Sequence, residues 1–347
     1  MLMKSRIIFL DFIRALAIIL ILMSHLPDYL GNYQIFEIFV PYFTNFGLGL
    51  FIFLSGYVIF LNNSSIHTTE DILAFYKKRA IRIFPLYLIA LFVFFVIFGL
   101  VIQIFGRNLG MDFGLKNMII HILGLQIFLS PQYATPILTL YFIGLLVIFY
   151  LIYPLLIKFS HNIKEFFLIS LIPFIVFLFL RYFFNVIDDY FFRYYFVFIF
   201  GILFCYISSS NYKKDLKFLI IIPIILVFSL ALFSYYEFDA DISNIFIYTI
   251  LYIVIISFCI IQFEISNMFI DDFSPKTKNL IFIIAFSSYA IYLFHRPILT
   301  VFYGITLLLG LPEIIRDLII IFVAIPSVFI ISYYIQLFEE KILRNRR

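Results

Sequence analysis

Two ionisable side chains on the first apolar segment are well placed to do chemistry. Arg14 and His25 stand eleven positions apart in the run LDFIRALAIILILMSH, which begins at Leu10. A helix turns about 100° and rises about 1.5 Å per residue, so both side chains would lie on one face, about 16 Å apart along the axis. Asp11, one turn before Arg14, can neutralise its charge. The segment therefore predicts a guanidinium at one depth and a proton-accepting imidazole at another.

A charged side chain at the centre of a membrane helix costs about 2.5–3.5 kcal/mol on insertion scales, so such residues indicate function. The same argument selects His295, beside Arg296, in the run SSYAIYLFHRPIL, well inside an apolar segment. Three other histidines lie in loops or at segment edges and are interpreted as surface residues: His67, His121 and His161.

Two arginines three residues apart, Arg79 and Arg82, occupy the stretch FYKKRAIRIFPLYL. They would share one helix face at the start of a membrane segment. Two guanidinium forks in that position can hold a phosphate-rich cytosolic ligand through bidentate hydrogen bonds. An ordinary anchor of basic residues on the cytoplasmic side is the alternative interpretation, and the pattern leaves both open.

Two further residues are supporting candidates. Ser55 belongs to FIFLSGYVIF, where a Ser-Gly pair inside a span is typical of close helix packing. Tyr141 opens the aromatic-rich run YFIGLLVIFYLIYPLL, whose rings could be nothing more than lipid-facing bulk.

The composition indicates a membrane protein. The chain is 65% hydrophobic and 13% charged, whereas soluble proteins are about half apolar and a quarter charged. The spacing of the two cysteines suggests neither a disulfide framework nor a metal-ligand cluster. The net charge of +4 matters only through the positions of Lys and Arg, and no nucleic-acid partner is expected.

Ten apolar segments approach the roughly 20 residues that cross a bilayer. They are 7–26, 36–61, 83–106, 136–157, 166–187, 191–208, 217–236, 244–263, 280–304 and 314–338. The apolar piece from Met118 to Leu129 is only about a dozen residues long, which favours a re-entrant or interfacial segment. We therefore predict an all-α, polytopic helix bundle that forms one integral membrane domain over residues 1–347.

The positions of Lys and Arg predict the orientation of the bundle. With both termini in the cytoplasm, most cations fall on the cytoplasmic side, as the positive-inside rule requires. The opposite side receives a minority of cations and several acidic groups, namely Asp188, Asp189, the acidic loop 237–241, Glu313 and Asp317. Counting Met118 to Leu129 as a full span would invert every later loop. Arg14 then lies toward the cytoplasm and His25 near the outer face.

Taken in order, the motifs resemble those of acyltransferase family 3, whose membrane enzymes include O-acetyltransferases of bacterial surface polysaccharides, peptidoglycan and lipid-linked sugars. The resemblance rests on LDFIRALAIILILMSH, KKRAIRIFPLY, FLSGY and SYAIYLFHRPIL, and it covers nearly the whole chain. It implies that Arg14 and His25 are the essential pair of the first helix. It also implies that Arg79 and Arg82 serve in the use of the cytosolic acyl donor, and that His295 is the family's late-helix histidine.

One segment departs from the family pattern. Tyr141 stands where many members carry Trp, and Leu146 and Val147 stand where they carry carboxylates. The departure weakens any role for a carboxylate in this segment. It is closer to the subgroup that acts on sugars of secreted polysaccharides or of enterobacterial antigen.

The resemblance implies an acyl-CoA-dependent O-acyltransferase in the plasma (inner) membrane of a bacterium. Acetyl-CoA is the expected donor, without a metal, and the expected partners are membrane lipids and a sugar or polysaccharide acceptor. In this scheme the arginine pair binds the CoA phosphates and the donor passes Arg14. His25 then removes the proton of the acceptor hydroxyl, either directly or within an acyl-enzyme relay. His295 orients the donor or stabilises the oxyanion.

A proton-coupled transporter or a lipid-linked-sugar flippase is the alternative, because a bundle with buried Arg and His residues also suits ion coupling. Transporters often repeat their halves, with broken helices in matching positions. No such pairing is visible in this chain, which favours the enzyme.

Overall fold

Helices dominate the structure, a computed structural model that describes residues 8–31, 34–105, 111–209, 225–226 and 245–344. No β-strand occurs in those ranges. In chain order the helices are α1 (Ile8–His25), α2 (Gln34–Asn62), α3 (Thr69–Phe105), α4 (Leu115–Ile122), α5 (Gln126–Leu129), α6 (Tyr141–Phe159), α7 (Ile163–Phe184), α8 (Asp189–Ser209), α9 (Ile245–Phe269), α10 (Pro275–Leu308), α11 (Glu313–Ile319) and α12 (Ile325–Arg344). A π-helical stretch, Ile320–Ala324, joins α11 to α12.

Nine of the ten predicted spans coincide with apolar helices of spanning length among the described residues. The remaining one, 217–236, lies outside them apart from residues 225–226. The prediction of an all-α, polytopic bundle is confirmed. The piece from Met118 to Leu129 is also too short to span, because it contributes to two helices of 8 and 4 residues. The side of the membrane on which the termini lie stays a prediction.

The chain divides into two compact units. The first contains Met1–Phe51, Phe92–Arg107 and Phe258–Arg347, and the second contains Ile52–Leu91 and Asn108–Ser257. The helices that carry His25 and His295, α1 and α10, belong to the first unit, whereas the arginine pair belongs to the second. That residues 1–347 form one functional domain stays a prediction.

In the first unit, α10 packs against α1 and α12. Helix α1 contributes a buried aliphatic surface that includes Ile13 and Ile18. Gly47 allows α2 to approach α1 closely, because a Cβ at this position would lie 2.7 Å from Cγ1 of Ile21 and 3.0 Å from the carbonyl oxygen of Ala17. Any side chain there would push the two helices apart.

In the second unit, two glycines let α2 and α8 pack backbone against backbone. A Cβ at Gly56 would collide with the carbonyl oxygen of Phe198, and a Cβ at Gly201 would collide with that of Phe53. The Ser-Gly pair of FLSGY therefore serves helix packing through its glycine, as small residues commonly do in membranes.

The interpretation of His121 as a surface residue is wrong, because the side chain is fully buried under the loop that precedes α6. Its Nδ1 donates to the carbonyl oxygen of Asn117 at 2.8 Å, and its Nε2 accepts from the backbone N–H of Ile137 at 3.2 Å. These partners fix the neutral tautomer with the proton on Nδ1. Burial lowers the pKa of His121. His67 and His161 are exposed, as predicted.

Candidate active site

Two histidines that are far apart in the sequence meet in the first unit. His25 is the last residue of α1, and His295 lies within α10. Their ring centroids are 5.3 Å apart and the ring planes differ by 25°, so the imidazoles stack. From the sequence, each residue was predicted to be functional because an ionisable side chain inside a membrane helix is energetically costly. The packing of α10 against α1 makes them one site.

The tautomer of His295 follows from its partners. Its Nδ1 lies 3.0 Å from the carbonyl oxygen of Ile291 and 2.9 Å from that of Tyr292. Because carbonyl oxygens only accept, Nδ1 carries a proton. The ring is fully buried, and its Nε2 has no hydrogen-bond partner among the described residues. A protonated Nε2 would need an acceptor there, so the contacts favour the neutral ring with a lone pair on Nε2.

Arg296 connects His25 to a carboxylate. Its Nη2 lies 3.2 Å from Nδ1 of His25 and also forms an ion pair with Oδ2 of Asp28. The Arg296 side chain is 13% exposed and that of Asp28 is 52% exposed, so the pair lies at the edge of the buried site. A guanidinium only donates, so Nδ1 of His25 accepts and the proton of the neutral ring lies on Nε2.

The turn after α1 is tied to α10 and α11. The Tyr29 hydroxyl donates to the carbonyl oxygen of Arg296 at 3.2 Å and lies 2.9 Å from Oγ1 of Thr300. The backbone N–H of Gly31 donates to Oδ1 of Asp317 at 3.1 Å. These bonds hold the end of α1, and with it His25, against α10.

Asp28 was not predicted as a site residue from the sequence, and Arg296 had no predicted role of its own. The signal that was available is an aspartate three residues after a histidine at the end of an apolar helix. Their carboxylate and ring are brought within reach because the short helical turn Leu26–Asp28 continues directly from α1. The role of Arg296 could not be read from the sequence because it depends on how α10 packs on α1.

At the other end of α1, the predicted pairing of Asp11 with Arg14 is confirmed at 3.5 Å. Asp11 is buried, and the Arg14 side chain is 28% exposed. Because α1 is a single helix from Ile8 to His25, the eleven-residue spacing from Arg14 to His25 corresponds to about 16 Å along its axis.

The arginine pair in the second unit lies on α3. The Arg79 guanidinium carbon lies 5.3 Å from the ring centroid of Phe75 and 5.5 Å from that of Tyr150. Arg82 is exposed. Neither arginine forms an ion pair with a carboxylate in the part of the chain that the structure describes. Aromatic rings thus hold Arg79 in place, while its charge stays available to an anionic ligand.

The two supporting candidates lie in different settings within the second unit. The Ser55 hydroxyl lies 3.0 Å from the hydroxyl of Tyr150. Ser55 therefore helps to position the tyrosine ring that the Arg79 guanidinium contacts. Tyr141 stacks on Tyr190, with ring centroids 4.0 Å apart and planes that differ by 16°. It therefore contacts another tyrosine and is more than lipid-facing bulk.

Nine apolar helices of spanning length occur among the described residues, and one of them ends in a partly buried cluster of histidine and arginine side chains. These features define a multi-pass membrane protein with an internal polar site. The chain belongs to acyltransferase family 3, since the family's sequence model, described as an acyltransferase domain, matches residues 7–337. The family resemblance of the motifs is thereby confirmed, and the protein is a membrane acyltransferase. No curated protein and no solved structure matches the chain.

Proposed function

We propose that the protein transfers an acyl group, most simply acetyl, from cytosolic acyl-CoA to a hydroxyl of an extracytoplasmic or lipid-linked sugar or polysaccharide. The observation that carries the proposal is the cluster of His25, Asp28, His295 and Arg296 at the end of α1. It combines a titratable imidazole, a carboxylate that can orient it and a cation for developing negative charge. A bacterial plasma membrane is the setting that gives such an enzyme both its substrates.

The donor is proposed to bind at Arg79 and Arg82. A guanidinium group can donate two parallel hydrogen bonds to the oxygens of a CoA phosphate. The contacts of Arg79 with two aromatic rings hold its guanidinium in place before the donor arrives. Less conformational freedom is then lost on binding than for a fully flexible side chain.

The transfer itself is an attack by the acceptor oxygen on the thioester carbonyl carbon. The imidazole of His25 removes the hydroxyl proton as the new C–O bond forms, and negative charge develops on the carbonyl oxygen. The C–S bond then breaks, and the imidazolium returns the proton to the leaving thiolate. The products are an ester and free CoA, so no proton or electron is left over.

His25 can act as this base through Nε2 only if its other nitrogen, Nδ1, carries the ring proton. Asp28 is the acceptor available for that proton, because its Oδ2 lies 3.9 Å from Nδ1 of His25. In the structure Arg296 donates to Nδ1 instead. We therefore propose that Arg296 turns away when the donor binds, and that Asp28 then orients the ring as the carboxylate does in a Ser-His-Asp triad.

Arg296 is also the better partner for the oxyanion. Its guanidinium always carries donors and a positive charge. His295 has no N–H to offer at Nε2 in the tautomer that its contacts require. We assign His295 to positioning, since its ring stacks on His25, and we assign stabilisation of the oxyanion to Arg296.

Membership of an acyltransferase family favours this function over a transporter or flippase. A relay in which an enzyme group is first acylated uses the same base and the same cation. The two routes differ in whether acyl-enzyme accumulates when the acceptor is withheld.

The test is to delete the gene, complement with variants of the full chain, and measure ester-linked acetyl groups in the cell-surface glycans by NMR. The His25→Gln variant should restore no acetyl signal although the protein reaches normal levels. The matched control is His67→Gln, which removes an exposed histidine and should restore the signal fully. Full acetylation by His25→Gln would show that this mechanism is wrong.

A further inference from the structure

A group of residues in the second unit has no role in the chemistry described above. Tyr141 is the first residue of α6 and Tyr190 is the second residue of α8, and their rings stack at 4.0 Å. Arg193 follows Tyr190 by one turn of α8, with its guanidinium carbon 5.6 Å from the Tyr190 ring centroid. We call Tyr141, Tyr190 and Arg193 the tyrosine–arginine platform.

The cation of the platform lacks a carboxylate partner. Arg193 forms no ion pair with any carboxylate that the structure describes, and its buried Nε has no hydrogen-bond partner there. The ionisable groups that interact electrostatically with its guanidinium are all tyrosines, namely Tyr141, Tyr190, Tyr194 and Tyr248. A partly buried cation surrounded by rings and hydroxyls is costly to keep, which indicates that it serves a ligand.

The carboxylates near the start of α8 are already engaged. Oδ2 of Asp188 accepts from the Ser130 hydroxyl at 2.6 Å, and its Oδ1 accepts from the backbone N–H of Tyr190 at 3.0 Å. Asp189 pairs with Arg181 at 2.9 Å. Asp188 and Asp189 therefore contact other groups of the chain and do not neutralise Arg193. The charge of Arg193 is available to an anionic ligand.

The three platform side chains are also accessible. Tyr141, Tyr190 and Arg193 are each partly exposed, whereas Tyr194 next to them is fully buried. The predicted topology assigns the starts of α6 and α8 to the outer side, where an extracytoplasmic acceptor would arrive. Flat tyrosine faces pack well on the C–H faces of sugar rings, and a guanidinium binds carboxylate or phosphate through paired hydrogen bonds.

We infer that the tyrosine–arginine platform binds an acidic saccharide, with Arg193 on its oxyanion and an outer face of the stacked tyrosine pair against its ring. The oxyanion is either the carboxylate of a uronic acid or the phosphate of a sugar phosphate. This inference rests on the proposed function, because it assigns the platform to the acceptor of the acyl transfer.

The absence of Trp from the chain allows a direct binding assay. The Tyr141→Trp variant of the full chain carries a single indole, placed in the platform, and its fluorescence reports ligands without any acyl transfer. Purified protein in detergent is titrated with methyl glucuronide, glucose phosphate and the neutral methyl glucoside. A saturable fluorescence change with one or both acidic sugars, and none with the neutral sugar, is the expected result. The acid that binds identifies the oxyanion.

Two further substitutions in the Tyr141→Trp background isolate Arg193. Arg193→Gln should weaken binding of the acidic sugar about tenfold to hundredfold, the range for a lost hydrogen bond to a charged group. Lys116→Gln is the matched control, because Lys116 is an exposed cation over the Tyr133 ring, 4.9 Å from its centroid, and its loss should leave binding unchanged. The Tyr190→Trp variant repeats the titration in case the substitution at Tyr141 disturbs folding.

The outcomes separate this inference from the proposed function. Three results would contradict the inference that the platform binds an acidic saccharide. They are an equal fluorescence response to acidic and neutral sugars, no response to any of the three sugars in both tryptophan variants, and a response that Arg193→Gln does not change. Such a result would leave acyl transfer by the native chain intact. Conversely, sugar binding by the platform in a protein that releases no CoA from acetyl-CoA would support the binding site and contradict the proposed function.

Discussion

Replacing Asp28 by Asn tests whether the carboxylate orients and stabilises the base. The substitution keeps the size of the side chain and removes its charge. In the structure Oδ2 of Asp28 lies 3.9 Å from Nδ1 of His25, and Arg296 contacts both groups. During transfer His25 becomes an imidazolium, so the interaction at stake is that between an imidazolium and a carboxylate at this distance.

The expected loss follows from Coulomb's law. Two unit charges at this separation attract by about 4 kcal/mol at an effective dielectric constant of 20 and by about 1 kcal/mol in water. Since Asp28 is 52% exposed, solvent screens part of the attraction. An intermediate value of about 2–3 kcal/mol corresponds to a fall in kcat of about 30- to 150-fold. The KM for acetyl-CoA should not change, because Asp28 does not bind the donor in this mechanism.

The assay is the initial rate of CoA release from acetyl-CoA by purified protein with its acceptor, followed by thiol titration. Glu313→Gln is the control. Glu313 begins α11, and its carboxylate lies beside Gly31, which is three residues after Asp28. The substitution therefore removes one negative charge close to the same turn, from a residue that contacts neither histidine in the structure. Asp28→Glu keeps the anion and should recover part of the rate. A kcat for Asp28→Asn within twofold of the native value, or an effect confined to KM, would refute the role given to Asp28.

Three further predictions follow from the same contacts. Arg79→Gln and Arg82→Gln should each raise the KM for acetyl-CoA about tenfold or more and change kcat little; Lys78→Gln is the control, and an unchanged KM would leave only the role of a cytoplasmic anchor. His295→Gln should lower kcat without moving its pH profile, because His295 positions the base; a shifted profile would make His295 the base instead. Thermal stability of the native protein should fall below about pH 6.5, where the unfolded chain protonates His121 and the folded chain, with its lowered pKa, does not. His121→Gln should flatten that part of the stability curve; an unchanged curve would show that His121 does not cause the loss.

The spans and the first-helix pair could be predicted because both depend on local properties. Apolar length reports a membrane helix directly, and the spacing of Arg14 and His25 is fixed by one helix. The ion pair of Asp11 with Arg14 was predictable for the same reason, since the two residues are one turn apart.

The rest of the site depends on contacts between helices, which the sequence pattern does not encode. Arg296 reaches His25 only because α10 packs against α1. His121 was misjudged because a short helix at the edge of an apolar segment can turn its polar residue inward, once a following loop supplies hydrogen bonds. Buried polar side chains are stable where both of their hydrogen-bonding atoms find partners. For His121 one partner is Asn117 of the same short helix and the other is Ile137 of the loop before α6.

The arginines of the bundle differ in the groups that they contact. Three of them form ion pairs with carboxylates of the chain: Arg14, Arg181 and Arg296. Arg79 and Arg193 lie over tyrosine rings and pair with no described carboxylate. Arg316 lies over Tyr303 as well, but acidic residues flank it on its own short helix.

An aromatic ring can hold a cation without neutralising it, so the charge is retained for a ligand. By this reasoning Arg79, on the predicted cytoplasmic side, suits the phosphates of the donor, and Arg193, on the predicted outer side, suits an acidic acceptor.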